Sequence, residues 1–238
     1  MTPAPMATAS AANAGPRRRL RIAAVVVGVL AALGAPVLAP FPLLMLSRLR
    51  GWHLPDGLAP WARLLIATVV AGLLLESGAW AHNLMLGTPE PALFHPQLFA
   101  DLVIGFGFYV GWWLAWWLLA HRFRFTVREV FLVTALYGVL IEQQGRVFLA
   151  GLASLPLGAL LWLFVALAYG STMALAWTWA GDPWPPSPGA PAGRWKYPLA
   201  WIALFACSTT LIIAWNLPIE ALHLLPPKRL PIAMHPFW

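Results

Sequence analysis

The sequence is poor in cysteine and in charged residues. Its 238 residues include one cysteine, Cys207, so no disulfide can form within the chain and a metal site would need other ligands. Only 10% of the residues are charged, whereas a typical soluble domain has about 25%. An ordinary soluble globular fold is therefore excluded, and thiol redox chemistry is not expected.

Several catalytic and binding motifs are also missing. No Walker or dinucleotide glycine pattern precedes a predicted helix, and there is no serine nucleophile elbow. The six histidines are scattered, and no two are three or four residues apart, so no pair shares a helix face and we predict no metal site. Nucleotide-driven transport and hydrolase-fold chemistry have no support, and the sequence leaves the cofactor unknown.

Long apolar runs account for the composition, which is 61% hydrophobic with a mean hydropathy of +0.73. Five runs are long enough to cross a hydrocarbon core of about 30 Å. They cover residues 64–86, 102–120, 130–152, 157–180 and 199–215. We therefore predict an all-α, polytopic transmembrane helix bundle over residues 22–216. A disordered basic tail, residues 1–21, precedes it, and a proline-rich interfacial tail, residues 217–238, follows it.

A sixth apolar run, residues 22–47, contains Pro36, Pro40 and Pro42, which interrupt a helix. If this run enters and leaves the membrane on one side, twelve basic residues lie in the cytoplasm and only Lys228 and Arg229 lie outside. The twelve are Arg17, Arg18, Arg19, Arg21, Arg48, Arg50, Arg63, Arg122, Arg124, Arg128, Arg194 and Lys196. The positive-inside rule therefore favours five spans plus a re-entrant or interfacial hairpin; six plain spans are the alternative.

The net charge of +7 has the same explanation. Because the basic residues lie between apolar runs, membrane topology and anionic lipid headgroups account for them better than nucleic acid does. We expect a multi-pass protein of a cell membrane, such as a cell inner membrane, with its basic loops in the cytoplasm. Its partners are the lipid bilayer and either other membrane subunits or further copies of itself.

Residues 137–146 place polar groups in the middle of an apolar run. Glu142, Gln143, Gln144 and Arg146 all fall here. A glutamate at the bilayer centre costs on the order of 3 kcal/mol on insertion scales, so it should face protein or water and have a partner. On a continuous helix, Glu142 and Arg146 share one face at i,i+4. The pattern predicts a buried polar site.

The same pattern occurs earlier in the chain. Thr68, Gly72 and Glu76 precede Thr134, Gly138 and Glu142 by 66 residues, and both glutamates are thirteenth in their runs. Equal depth is what a parallel two-helix repeat would produce. The predicted cluster consists of Glu76, Glu142, Arg146, Gln143, Gln144 and Asn83. It is either a site for protons or a small ligand, or an ion pair that fixes the helices.

Four tryptophans mark the second span. Trp112 and Trp116 are four residues apart, as are Trp113 and Trp117, so each pair shares a helix face. Such faces could line a pocket for a long apolar ligand or pack against a partner subunit; lipid-facing bulk is the simpler interpretation. The sequence does not distinguish these roles.

Residues 142–149 resemble the glutamate-to-arginine helix of the CAAX-protease and bacteriocin-processing family of intramembrane proteases. That family has two adjacent glutamates before the arginine, whereas Ile141 takes the first position here. Its downstream helix histidines are also missing, since only His223 and His235 follow Arg146. We prefer a small integral membrane protein that binds or moves a small ligand or protons. The alternatives are an accessory subunit of a larger membrane complex, such as a pigment or redox complex, and a divergent glutamate-dependent protease.

Overall fold

The computed structural model describes residues 14–89, 91, 93–181 and 193–238, with side chains except those of residues 14–18, 142 and 143. Within these residues the chain is helical and contains no β-strand. The α-helices are α1 (Ala14–Gly34), α2 (Pro40–Arg50), α3 (Pro60–Leu86), α4 (Leu98–Arg122), α5 (Val127–Leu140), α6 (Arg146–Ala153), α7 (Gly158–Ala180) and α8 (Lys196–Ala221). Short 3-10 helices cover Pro36–Leu38 and Glu142–Gly145.

Local sequence signals determine where several helices begin and end. Pro60 occupies the first position of α3, where its missing N–H is not needed. Gly87 ends the same helix in the left-handed conformation, with φ of 61°. At α5, the Thr126 hydroxyl accepts from the Glu129 N–H and the Glu129 carboxylate accepts from the Thr126 N–H. This reciprocal cap orients the chain as it enters α5.

Five helices form a closed ring. Helix α4 packs between α3 and α8, α7 packs between α3 and α5, and α5 approaches α8. The α5–α8 junction contains a 3.1 Å hydrogen bond from Trp201 Nε1 to the Val133 carbonyl. Side chains of α4 fill the interior of this ring, where Trp112 and Trp116 are completely buried.

Four helices are long and apolar enough to cross a membrane: α3, α4, α7 and α8. Each overlaps a predicted span, which makes the chain a multi-pass membrane protein of helical class. The predicted span over residues 130–152 was wrong as a single helix, because the chain is divided into α5, the 3-10 helix Glu142–Gly145 and α6. Gln144 and Gly145 have φ of 59° and 77°, left-handed values that cannot continue a right-handed helix.

The N-terminal region folds back on itself. Helix α1 begins at Ala14, so part of the segment predicted as a disordered tail is helical; residues 1–13 lie outside the described part of the chain. The prolines break the apolar run where expected, since the 3-10 helix Pro36–Leu38 separates α1 from α2. The backbone at Pro36 packs against Gly78 of α3, whose missing side chain leaves room for it. Helix α2 then packs against α7.

The last helix runs into the segment predicted as the C-terminal tail. Helix α8 continues to Ala221, past the expected end of the membrane domain at residue 216. The following residues fold onto the start of α4: the Leu98 N–H donates to the Pro236 carbonyl at 3.0 Å, and the Phe99 N–H donates to the Phe237 carbonyl at 3.2 Å. These bonds hold the proline-rich tail against the α3–α4 connection.

Candidate functional site

Aromatic side chains fill the interior around α4. Tyr109 and Trp112 are 1% and 0% exposed. Their rings meet edge to face with centroids 5.9 Å apart. Trp112 also contacts Tyr137 of α5, with centroids 5.7 Å apart, and Tyr169 of α7, at 6.0 Å. Because edge-to-face packing is favourable and water is excluded, this aromatic core forms a rigid environment of low polarity.

Glu76 lies against this core. Its side chain is buried, and its Oε1 accepts a 2.7 Å hydrogen bond from the Tyr109 hydroxyl. Gly105, one turn before Tyr109 on α4, has no side chain and leaves space for the Glu76 Cγ, which a Cβ on that glycine would approach to 3.3 Å. The carboxylate therefore lies between α3 and α4, with a neutral hydroxyl as a hydrogen-bond donor.

Both halves of the predicted repeat make the same kind of contact, a glycine packed against a tyrosine ring. A Cβ on Gly72 of α3 would enter the ring of Tyr109, and a Cβ on Gly138 of α5 would lie 2.6 Å from the ring of Tyr169. Each glycine therefore admits a tyrosine from the next long helix. Thr68 and Thr134, one turn earlier, are both fully buried. These parallels agree with a duplication, which remains a prediction.

The predicted polar cluster is only partly present in the described structure. Glu76 is buried, but Gln144 and Arg146 are exposed. The Asn83 side chain is half-buried and donates to the Ala79 carbonyl of its own helix at 2.8 Å. The break at Gln144 and Gly145 places Arg146 at the start of α6, so the expected single helical face carrying Glu142 and Arg146 does not form.

The side chains of Glu142 and Gln143 lie outside the described residues, so their part in the cluster stays a prediction. The 3-10 helix Glu142–Gly145 and the start of α6 occupy residues 142–149. The stretch that resembles the protease family's glutamate-to-arginine helix is therefore not a continuous helix here. No catalytic geometry is visible among its described side chains.

The four tryptophans of α4 divide between two environments. Trp112 and Trp116 are in the interior, where Trp116 contacts Trp177 of α7 with centroids 5.6 Å apart. Trp113 and Trp117 are half-buried, and their rings stack at 5.9 Å. Trp113 Nε1 donates to the Trp61 carbonyl at 3.0 Å. The inner pair thus belongs to the packed core, whereas the outer pair covers the start of α3.

A second buried polar cluster was missed by sequence reasoning. It consists of His95, Gln97 and Asp101, which are 3%, 0% and 0% exposed. The Gln97 amide group donates to the carbonyls of Arg229 and His235 at 2.7 and 2.9 Å. Gln97 is therefore the hydrogen-bonding centre of the tail's attachment. Its sequence neighbourhood contains no signal beyond the loop between two apolar runs.

His95 connects the tail to Asp101. Its backbone N–H donates to Asp101 Oδ1 at 2.9 Å, and its Nε2 lies 3.2 Å from the Pro226 carbonyl. The Nδ1 atom faces the N–H of Gln97 at 3.2 Å and must accept from it, which assigns the remaining proton to Nε2. Burial lowers the pKa of His95, and the charge of Lys228 acts in the same direction.

Asp101 extends this cluster toward Glu76. Asp101, Gly105 and Tyr109 are spaced by four residues and so share one face of α4, which packs against α3. Glu76 lies beside Gly105 and bonds Tyr109. The second carboxylate oxygen of Asp101 is buried and has no hydrogen-bond partner among the described residues. The carboxylates of Asp101 and Glu76 and the phenol of Tyr109 therefore lie in a row along the α3–α4 interface, from the tail toward the centre of the bundle.

Comparison with known proteins identifies no relative. No family model matches the chain, and no curated protein or solved structure matches it.

Proposed function

We propose that the protein is a small integral membrane protein that binds and passes protons at the Glu76 carboxylate. The observation that carries this proposal is the 2.7 Å hydrogen bond from Tyr109 to Glu76 inside the aromatic core. It is unfavourable to bury a charged carboxylate among aromatic side chains, and protonation removes that charge. The Tyr109 hydroxyl can both donate and accept, so it suits either protonation state of the acid.

The second acid supports a route rather than an isolated site. Asp101 lies two turns from Tyr109 on the same face of α4, about 12 Å along the helix axis. Its buried oxygen without a partner is unfavourable unless it is protonated or solvated. Asp101 and Glu76 would then be successive proton-accepting groups between the tail end of the bundle and its centre.

The test is proton flux in proteoliposomes that contain a trapped pH-sensitive dye. The wild-type protein should dissipate an imposed pH gradient, whereas Glu76→Gln should abolish the protein-dependent part of the flux. Tyr109→Phe should reduce it about a hundredfold or more, the loss expected when a positioned proton-transfer partner is removed. Glu220→Gln is the matched control, because Glu220 is an exposed glutamate near the end of α8.

Wild-type flux in a folded Glu76→Gln variant would contradict the proposal. Equal loss of flux in Glu220→Gln would contradict it as well, because the effect would then not depend on the buried site. Folding is checked by the yield of monodisperse protein and by its thermal unfolding in detergent.

A second candidate is an accessory role in a larger membrane complex. Helix α8 favours it, because only 17% of its most apolar stretch is buried, against 44–50% in α3, α4 and α7. Its outward side chains include Ile202 and Phe205. Purification in mild detergent should then yield a stoichiometric partner that dissociates when both residues are replaced by alanine. If the wild-type protein instead purifies as a monomer without a partner, this face of α8 contacts lipid and the accessory role is contradicted.

A further inference from the structure

An open pocket of about 460 Å³ lies at the opposite end of the bundle from the tail. It is bounded by the end of α2, the α2–α3 connection, the first turn of α3 and the end of α7. Arg48 and Arg63 contribute two guanidinium groups to its lining, and Asp56 contributes one carboxylate. Positive charge therefore predominates in the pocket.

Arg63 is held in place with part of its hydrogen-bonding capacity unused. Its side chain is 13% exposed, and its NH1 donates to Asp56 Oδ1 at 3.0 Å. Its Nε is buried and has no partner among the described residues. The buried Nε cannot reach a ligand, but the two terminal nitrogens carry four N–H donors, and the largely exposed Asp56 leaves some of these for a further oxyanion.

The C-terminal ends of two helices lie at the pocket, but two of their carbonyl groups are not free to bind a cation. Helices α2 and α7 direct their C-terminal carbonyls toward this region, where free carbonyls would attract positive charge. The Ser47 carbonyl, however, accepts from the Trp52 N–H at 3.0 Å, and the Trp179 carbonyl accepts from the Leu54 N–H at 2.7 Å. His53 also lines the pocket, where its Nδ1 lies 3.0 Å from the Leu54 carbonyl, and Asp56 is paired with Arg63. With these two carbonyls occupied and Asp56 paired, the excess charge of the lining comes from the arginines.

We propose that this pocket binds the phosphate group of an anionic ligand, with Arg48 and Arg63 as its two cationic contacts. A tetrahedral oxyanion matches the planar fork of guanidinium donors, and two arginines can share its oxygens. Trp52, half exposed at the pocket, is a residue typical of the headgroup level of a membrane. A phospholipid headgroup and a free phosphate ion present the same chemistry.

The test is native mass spectrometry of the full chain in detergent, titrated with dioleoylphosphatidylglycerol or with a neutral diacyl glycolipid that lacks phosphate. The phospholipid should bind and the glycolipid should not. Arg48→Gln and Arg63→Gln should each weaken phospholipid binding about tenfold. Arg50→Gln is the matched control, because Arg50 lies in the same last turn of α2 but does not line the pocket.

Two further measurements distinguish a lipid headgroup from free phosphate as the ligand and show that the variants' effects do not come from misfolding. Displacement of the phospholipid by inorganic phosphate would assign the site to phosphate in general, and retention would assign it to the lipid headgroup. Asp56→Asn should tighten binding, because it removes the negative charge that opposes an anion beside Arg63, and unfolding cannot produce that gain. Equal binding of the two lipids, equal loss in Arg50→Gln, or weaker binding in Asp56→Asn would overturn the proposal.

Discussion

Gly72 has no side chain, and this leaves the space that the ring of Tyr109 needs in order to bond Glu76. Gly72→Ala would place a methyl group in the Tyr109 ring, which is fixed between Glu76 and Trp112. Forcing an extra carbon into a packed core costs about 1–3 kcal/mol. We expect this loss in the free energy of unfolding, measured by denaturation in mixed micelles.

The control for this change is Gly34→Ala at the end of α1, where a Cβ would meet nothing within 4 Å. Its unfolding curve should match that of the wild type or lie at slightly higher stability, because alanine is favoured over glycine at an unstrained helical position. A Gly72→Ala protein as stable as this control would show that the α3–α4 interface is looser than the close approach of Gly72 to the Tyr109 ring requires.

The sequence predicts that Glu76 is buried, but it does not predict the group that bonds it. An arginine in a neighbouring apolar run is the partner that charge pairing suggests. Among the described contacts is a hydrogen bond from the Tyr109 hydroxyl, which comes from a helix whose sequence contains many aromatic residues of similar appearance. Nothing in a single sequence distinguishes a packing tyrosine from a hydrogen-bonding one, because the distinction depends on where the neighbouring helix lies.

The break between α5 and α6 is a conformational feature that two adjacent substitutions can test. Gly145→Ala should destabilise the protein by about 1 kcal/mol or more, because φ of 77° is unfavourable for a residue with a Cβ. Gln144→Gly should be neutral or stabilising, since it relieves the same strain at φ of 59°. Chemical unfolding in detergent measures both. A stabilised Gly145→Ala variant would indicate that residues 130–152 form one continuous helix.

The junction of α5 and α8 should respond to acid. Lys196 Nζ lies 2.6 Å from Glu129 Oε1, which also accepts from the Tyr197 hydroxyl at 2.7 Å. Burial alone would raise the pKa of Glu129, but these bonds and the Thr126 N–H lower it from 4.5 to about 2. The folded state therefore binds this proton more weakly than the unfolded state, and stability is lost as the pH falls through this range.

Unfolding temperatures measured from pH 6 down to about pH 2 should show this loss. Glu129→Gln should be less stable at pH 6 and should lack this component of the decline. The exposed Glu220 supplies the matched Glu220→Gln control, which should keep the wild-type profile. A Glu129→Gln profile parallel to that of the wild type would contradict the assigned pKa.

Sequence patterns locate helices better than they locate contacts between distant segments. The apolar runs predict four of the long helices because hydrophobic length is a local property. The attachment of the tail depends on Gln97 and Arg229, which are 132 residues apart. The break near Gln144 was equally hidden, because an apolar run with isolated glycines, here Gly138, Gly145 and Gly151, is also compatible with a continuous helix. Both features arise from tertiary packing rather than local preference.

On the scale of the whole molecule, contacts join several segments at the end of the bundle where the sequence predicts the basic loops. The Trp179 indole at the end of α7 donates to Ser47 Oγ of α2 at 2.9 Å. Lys196 of α8 donates to the Arg124 carbonyl between α4 and α5 at 2.9 Å. These contacts join α7 to α2 and α8 to the α4–α5 connection; the membrane side of this end stays a prediction. The proposed hairpin of α1 and α2 would place this end in the cytoplasm.

Reporter fusions test this arrangement. A reporter after Arg50 or Arg124 should be cytoplasmic, whereas one after Thr88 or Trp238 should lie outside, because α3 and α8 both lead away from the basic end. An external reporter after Arg50, together with a cytoplasmic one after Trp238, would contradict the topology. The expected pattern would place the pocket of Arg48 and Arg63 on the cytoplasmic leaflet, where anionic lipids are concentrated. It would also orient the Asp101–Glu76 route inward from the external side.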